Sequence, residues 1–131
     1  MEAGEQYRFT PARDGKWTDK TIECSAAGWP KNRDRGASLL ERIKSKVLDS
    51  RIANLTRRVP EANWFEMVAT IGSDNKNNAP IGSGQHAEAL WTCPVSGPLM
   101  FFANDAKLSA LGYDLYSNNQ GTISVTVERV A

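Results

Sequence analysis

The chain has 131 residues, which suits a single domain that buries about two-thirds of the surface its unfolded form exposes. Sixteen lysines and arginines stand against fifteen acidic residues, so the net charge of +1 gives no global attraction to nucleic acid or to an anionic membrane. No apolar run approaches the ~20 residues that cross a bilayer, so we expect no transmembrane segment. From the balanced charge we expect no nucleic-acid partner.

The first five residues carry neither a basic stretch nor an apolar stretch, so no secretory signal is visible there. The protein is therefore cytoplasmic, secreted by a route that uses no cleaved signal, or a module of a larger protein. We favour the module, because strand-like sequence starts almost at once and Val130 and Ala131 directly follow a predicted strand. The localisation stays open.

Two predicted strands lie near the start of the chain. Residues 6–11 and 20–26 alternate apolar and polar side chains, which is typical of half-buried strands. Between them, residues 13–16 contain an Asp-Gly turn signal. We expect Trp17 to pack back onto the sheet, since large aromatic side chains are more often packed than free to stack on a ligand.

A helical segment is predicted over residues 38–58. Ser38 and Glu41 form a capping-box pattern, and Pro60 ends the segment. Apolar residues recur at helical spacing at Leu40, Ile43, Val47, Leu48, Ile52 and Leu55. This stripe would cover one open end of a β-sandwich. The basic residues between them form either a solvated face or a docking surface for a partner domain or an anionic membrane.

Strand patterns return in the second half of the chain. They cover residues 64–71, 79–82, 85–92, 99–103 and 122–130. Short strands punctuated by Gly, Pro and Asn indicate an antiparallel β-sandwich. The predicted fold is mainly β, with residues 1–131 as one domain and the helical segment as an insertion.

Catalytic motifs are absent from the sequence: it has no nucleophile elbow, no P-loop, no dinucleotide-binding fingerprint and no zinc-ligand spacing. The single histidine, His86, falls in a predicted strand and is interpreted as a surface or packed residue. We therefore expect no enzyme activity. Cys24 and Cys93 are predicted to be two buried thiols, although the sequence leaves a disulfide open.

Oxygen donors flank the last predicted strands. Asp105 follows the strand at 99–103, and Asn118 and Asn119 precede the strand at 122–130. Ca²⁺ prefers carboxylate, amide and carbonyl oxygens of this kind. Taken alone, these asparagines are more often ordinary turn residues, and a calcium site is the alternative.

Five segments, in this order, resemble the PA-IL-type bacterial galactose-binding lectins, a family of small calcium-dependent jelly-roll proteins. The segments are 26–29, 67–72, 79–84, 99–105 and 117–121. The resemblance covers residues 64–130 closely and 6–29 loosely, and it does not extend to 33–62. It implies a jelly-roll β-sandwich that binds Ca²⁺.

The resemblance also implies a set of site residues. Asp105 would supply the carboxylate ligand to Ca²⁺, and Asn118 and Asn119 would supply amide oxygens. Backbone carbonyls near Asn32 and at about Leu115 would complete the site. Sugar contacts would fall on Asp105, Asn32 and Asn119.

The expected function is a calcium-dependent carbohydrate-binding module for a galactose-like or larger glycan, such as a targeting domain of a larger secreted or toxin-type protein. The chain departs from the family in its long 106–117 loop and in lacking the family's sugar-contacting His and Gln after Trp29. We therefore expect weak binding of simple galactose. The alternative is a protein-interaction or membrane-docking domain that has lost sugar binding. Oligomers through strand edges are compatible with the family, although the inserted helix would oppose them.

Overall fold

The computed structural model describes residues 1–19, 22–28, 57–72, 76–83, 86, 89–105 and 119–131. These residues form nine strands and no helix. The strands are β1 Gln6–Pro11, β2 Lys16–Asp19, β3 Ile22–Cys24, β4 Met67–Ile71, β5 Asn78–Pro80, β6 Leu90–Thr92, β7 Leu99–Ala103, β8 Asn119–Thr122 and β9 Val125–Arg129. The prediction of a mainly β fold is therefore confirmed.

The strands pair into three small antiparallel sheets, with the orders β6-β1-β9, β3-β2-β8 and β5-β4-β7. In the first sheet, β1 lies between β6 and β9, with Tyr7 opposite Trp91 and Phe9 opposite Val127. Tyr7 and Phe9 are buried while Gln6, Arg8 and Thr10 are not, as the alternating sequence predicts. The jelly-roll arrangement remains an expectation.

One hydrophobic core joins all three sheets. It contains Tyr7 and Phe9 from β1, and Met67, Ala69 and Ile71 from β4. Trp17 of β2 packs against this core, as expected, and its indole Nε1 donates to the carbonyl oxygen of Phe65 at 3.0 Å. The side chain therefore contributes both apolar area and a satisfied hydrogen bond.

Strand β4 is buried on both faces. Met67, Ala69 and Ile71 lie on the face of β4 in the first core. Val68, on the other face, packs with Val59 and Ala62 in a second cluster, against which Phe102 lies. All five residues of β4 are consequently buried. A strand covered on both faces reads as a continuous apolar run rather than an alternating one.

Several predicted strands differ from the structure in their bounds. In the pattern predicted at 122–130, residues 125–129 form β9, which pairs with β1, whereas Thr122 ends β8, which pairs with β2. Of the described residues in the 85–92 prediction, Leu90–Thr92 form a strand and His86 lies in a turn. The His86 amide donates to the carbonyl of Ser83 at 2.9 Å, so this local hydrogen bond replaces a strand pairing.

The helix predicted over 38–58 falls on residues outside the described part, except for Arg57 and Arg58. These two residues are not helical, so the predicted end was wrong there. The Arg57 guanidinium lies 5.7 Å from the centre of the Trp64 ring, and that of Arg58 lies 3.6 Å from the centre of the Phe102 ring. Pro60 follows closely and disfavours helix before it.

Cys24 and Cys93 are both buried and are not joined in a disulfide, which confirms the prediction of two buried thiols. The Cys93 thiol donates to the carbonyl of Val95 at 3.1 Å. Among the described residues, no helix is long and apolar enough to cross a membrane.

Candidate functional site

Asp105 lies two residues beyond the end of β7 and is buried, with 4% of its surface exposed. Its backbone carbonyl accepts a hydrogen bond from the Arg58 amide at 3.0 Å. The predicted calcium carboxylate is therefore attached to a fixed backbone next to a strand end. Loops held by a rigid scaffold are the usual place for binding residues.

Asn104, the neighbour of Asp105, is fully buried and joins β7 to the segment 59–66. Its Oδ1 accepts from the Val59 amide at 2.8 Å, and its Nδ2 donates to the carbonyls of Val59 and Asn63 at 2.8 and 3.0 Å. Its backbone bonds to Phe65 and Glu66. The amide of Asn104 thus serves the fold.

Asn119 is the first residue of β8 and lies opposite Asp19 of β2. Asp105 and Asn119 therefore adjoin strands of different sheets. The remaining predicted ligands, Asn32, Leu115 and Asn118, lie outside the described residues. A carboxylate and neutral amide or carbonyl oxygens suit Ca²⁺ in donor type. In the part of the chain that the structure describes, no three His, Cys, Asp or Glu side chains gather as a metal-binding group.

A second polar site, which the sequence reasoning missed, is centred on Glu66. Its side chain has no exposed surface, and its carboxylate accepts three hydrogen bonds. Oε2 accepts from the Asn63 amide at 2.8 Å, while Oε1 accepts from the Ser83 amide at 2.9 Å and from Nδ1 of His86 at 2.9 Å. A buried charge requires this degree of pairing.

Ser83, His86 and Glu66 do not form a catalytic relay. Both the Ser83 hydroxyl, at 3.0 Å, and the Glu66 carboxylate meet the same ring nitrogen, Nδ1 of His86. In a nucleophilic triad the serine and the acid contact opposite ring nitrogens, so that the imidazole can pass a proton between them. Here Nδ1 carries its proton toward Glu66, and His86 offers no base to Ser83.

A pocket of about 220 Å³ lies beside His86, between the first sheet and β5. Its lining is mostly apolar and aromatic. The residues are Phe9, Asn78, Ala79, Pro80, Ile81, His86, Ala89, Leu90 and Trp91. Phe9 and Trp91 contact each other with ring centres 5.8 Å apart, so one wall of the pocket is aromatic.

One sequence signal could have pointed to this site. Glu66 interrupts the apolar run from Trp64 to Val68, and an acidic residue within such a run is rarely buried unless it is paired. Phe65 beside it has φ of 59°, an uncommon backbone conformation for a bulky residue. Its amide donates to the Asn104 carbonyl at 2.7 Å, and its carbonyl accepts from Trp17, which holds the conformation.

Comparison of the chain with models of known protein families and with curated proteins finds no match.

Proposed function

We propose that this chain is a calcium-dependent carbohydrate-binding module. The proposal rests on the resemblance of residues 64–130 to the PA-IL-type lectins. The structural observation that supports it best is Asp105, a buried carboxylate on a backbone fixed next to the end of β7. A ligand group held in place before binding loses less conformational entropy when a cation arrives.

The residues have separate tasks in this proposal. Asp105 holds the cation by charge, and Asn119 contributes a neutral oxygen from the start of β8. Bound Ca²⁺ coordinates sugar hydroxyls, which are otherwise strongly hydrated. Asp105 follows the end of β7, and Asn119 begins β8. Glycan recognition by such a module suits the targeting of a larger protein.

The alternative is docking through the basic segment 38–58. Two residues of this segment, Arg57 and Arg58, are described by the structure, and they give this alternative less support. Arg57 is buried, and both Arg57 and Arg58 lie over aromatic rings of the domain. A cation placed over an aromatic face within about 6 Å stabilises its own fold. These two charges therefore serve the domain.

A calcium titration tests the proposal. A ligand that binds only the folded state stabilises it by about 2.7 kcal/mol at a hundred times its dissociation constant. We expect Ca²⁺ to raise the melting temperature above that measured in EDTA, and Asp105→Asn to remove this shift. Asp14→Asn is the matched control, because Asp14 is exposed in the turn after β1.

Sugar binding is then measured on a glycan array with Ca²⁺ and with EDTA. We expect calcium-dependent signals from larger glycans, and binding of free galactose near 1 mM or weaker, which corresponds to about 4 kcal/mol. Asn119→Ala is expected to abolish the array signals while the melting temperature in EDTA is kept. Equal melting temperatures in Ca²⁺ and EDTA for the unmodified chain would refute the proposal.

A further inference from the structure

The pocket between β1, β5 and β6 contains an oriented histidine. Nδ1 of His86 lies 2.9 Å from Oε1 of Glu66, and a carboxylate can only accept hydrogen bonds. Nδ1 therefore carries the proton in neutral imidazole, and Nε2 carries the lone pair. Among the described residues, Nε2 has no hydrogen-bond partner.

Glu66 fixes the orientation of the His86 imidazole ring through the hydrogen bond to Nδ1. Glu66 is fully buried and is itself held by the amides of Asn63 and Ser83. The His86 side chain keeps 26% of its surface exposed and lines the pocket. A ring that is anchored on one nitrogen, and whose other nitrogen has no partner, can present a preformed hydrogen-bond acceptor to a ligand.

The lining and the size of the pocket limit the ligand. Seven of the nine lining residues are apolar, and only Asn78 and His86 are polar. A sugar needs a polar partner for most of its hydroxyls, because an unpaired buried hydroxyl is costly. The volume of about 220 Å³ is below the roughly 300 Å³ at which pockets for drug-sized ligands begin, so a single ring fits better than a larger molecule.

We propose that this pocket binds a small aromatic ring carrying one hydroxyl group, a phenol, with the hydroxyl donating to Nε2 of His86. The ring lies against Trp91 and Leu90, where aromatic and aliphatic surface favours it. Glu66 acts as a positioning residue, because it holds the imidazole without touching the ligand. The site is separate from Asp105 and needs no metal ion.

Nuclear magnetic resonance of the imidazole tests this directly, because His86 is the only histidine in the chain. The probes are p-cresol and toluene, which differ by the hydroxyl group, added to the ¹⁵N-labelled chain in EDTA. In the free protein we expect a protonated Nδ1 and an unprotonated Nε2. The Nε2 resonance is expected to shift with p-cresol in a saturable manner, and toluene is expected to bind about tenfold more weakly.

Two variants add controls. Ala89→Trp fills the pocket and is expected to abolish p-cresol binding, whereas Ala3→Trp, at an exposed alanine elsewhere, keeps it. His86→Asn retains a donor for Glu66 but removes Nε2, so p-cresol binding is expected to weaken about tenfold while toluene binding is unchanged.

Three results would overturn the proposal. They are no saturable shift with p-cresol, equal affinity for toluene and p-cresol, and a stronger shift of the His86 resonance with galactose than with p-cresol. The EDTA condition keeps this test independent of the calcium site, since chelation silences that site. The two-ligand comparison on the unmodified chain remains decisive if a variant fails to fold.

Discussion

Oε1 of Glu66 lies 2.9 Å from Nδ1 of His86, so the chain's single histidine is hydrogen-bonded to a carboxylate with no exposed side-chain surface. The two residues come from different parts of the fold: Glu66 precedes β4, and His86 lies in the turn that precedes β6. The contact fixes both the turn and the ring.

Glu66→Gln is expected to destabilise the domain. A glutamine can accept through one oxygen only, and its NH₂ group would face one of the three N–H donors that the carboxylate now accepts from. We expect a loss of about 2 to 3 kcal/mol in the free energy of unfolding, measured in urea. Glu61→Gln, at an exposed position five residues earlier, is the control and should be neutral. Equal stability of the two variants would contradict the structural role of Glu66.

Asn104→Ala removes the amide that joins β7 to the segment 59–66. The Val59 amide and the carbonyls of Val59 and Asn63 would then be left buried without their present partner. We expect a loss of about 3 kcal/mol, because each unsatisfied buried group is costly. Asn77→Ala, at a half-buried position beside β5, is expected to change stability by less than about 0.5 kcal/mol. Chemical denaturation distinguishes the two, and a neutral Asn104→Ala would show that water replaces the side chain.

Gly28→Ala and Gly4→Ala separate steric overlap from backbone strain. Both glycines have positive φ, 74° at Gly28 and 83° at Gly4. A Cβ at Gly4 would meet nothing within 4 Å, whereas one at Gly28 would overlap the Trp64 carbonyl and lie 2.8 Å from Cα of Glu66.

We expect Gly4→Ala to cost about 1 to 2 kcal/mol, as for any alanine in this conformation. Gly28→Ala should lower the free energy of unfolding by clearly more than Gly4→Ala does. Thermal melts would show this as a loss of folded protein. Similar melting temperatures for both variants would mean that the 26–28 turn can move away from Trp64.

The Tyr7 hydroxyl donates to the Glu5 carboxylate, and this hydrogen bond raises the pKa of Tyr7 above its ordinary value of 10.0. Because the pKa is higher in the folded state, this contribution to stability is fully present below about pH 10. It is lost as the pH rises through the raised pKa.

Glu5→Gln is expected to lower the pKa of Tyr7 toward its ordinary value. Glu128→Gln, at an exposed carboxylate that pairs with Arg8, should leave the pKa unchanged. Titration followed by the Tyr7 ring resonances measures both variants. A pKa of Tyr7 that does not respond to Glu5→Gln would contradict the assigned cause.

The strands that the sequence predicted well are those with a clear local pattern of residue types: β1 alternates apolar and polar side chains, and β7 is a short apolar run. Both strands have the predicted bounds, and each lies within a single sheet. The 122–130 pattern also alternates, but the chain passes there from the β3-β2-β8 sheet to the β6-β1-β9 sheet. Alternation alone does not reveal this transfer, because the pattern indicates a strand but not the sheet that the strand joins.

The two candidate sites also differ in how far the sequence alone predicts them. Asp105 and Asn119 are predicted as ligands from residue type and order along the chain, and their role in binding a cation stays a prediction. Glu66 and His86 could not be paired, because the contact joins residues 20 positions apart through the Ser83 turn. The acid nearest to His86 in the sequence is Glu88. Nothing in the sequence therefore indicates Glu66 as the partner, and the contact appears only in the folded structure.

The pairing of β1 with β9 has a consequence for how the protein is made. Arg8 and Glu128 are partners across this ladder although 120 residues separate them. Contacts of such long sequence separation slow folding, since the intervening chain must be ordered before they form. During synthesis, Phe9 lacks the cover of β9 until residues 125–129 have been made. Until then the apolar face of β1 is exposed and prone to aggregation. A chaperone would matter most during this stage of folding.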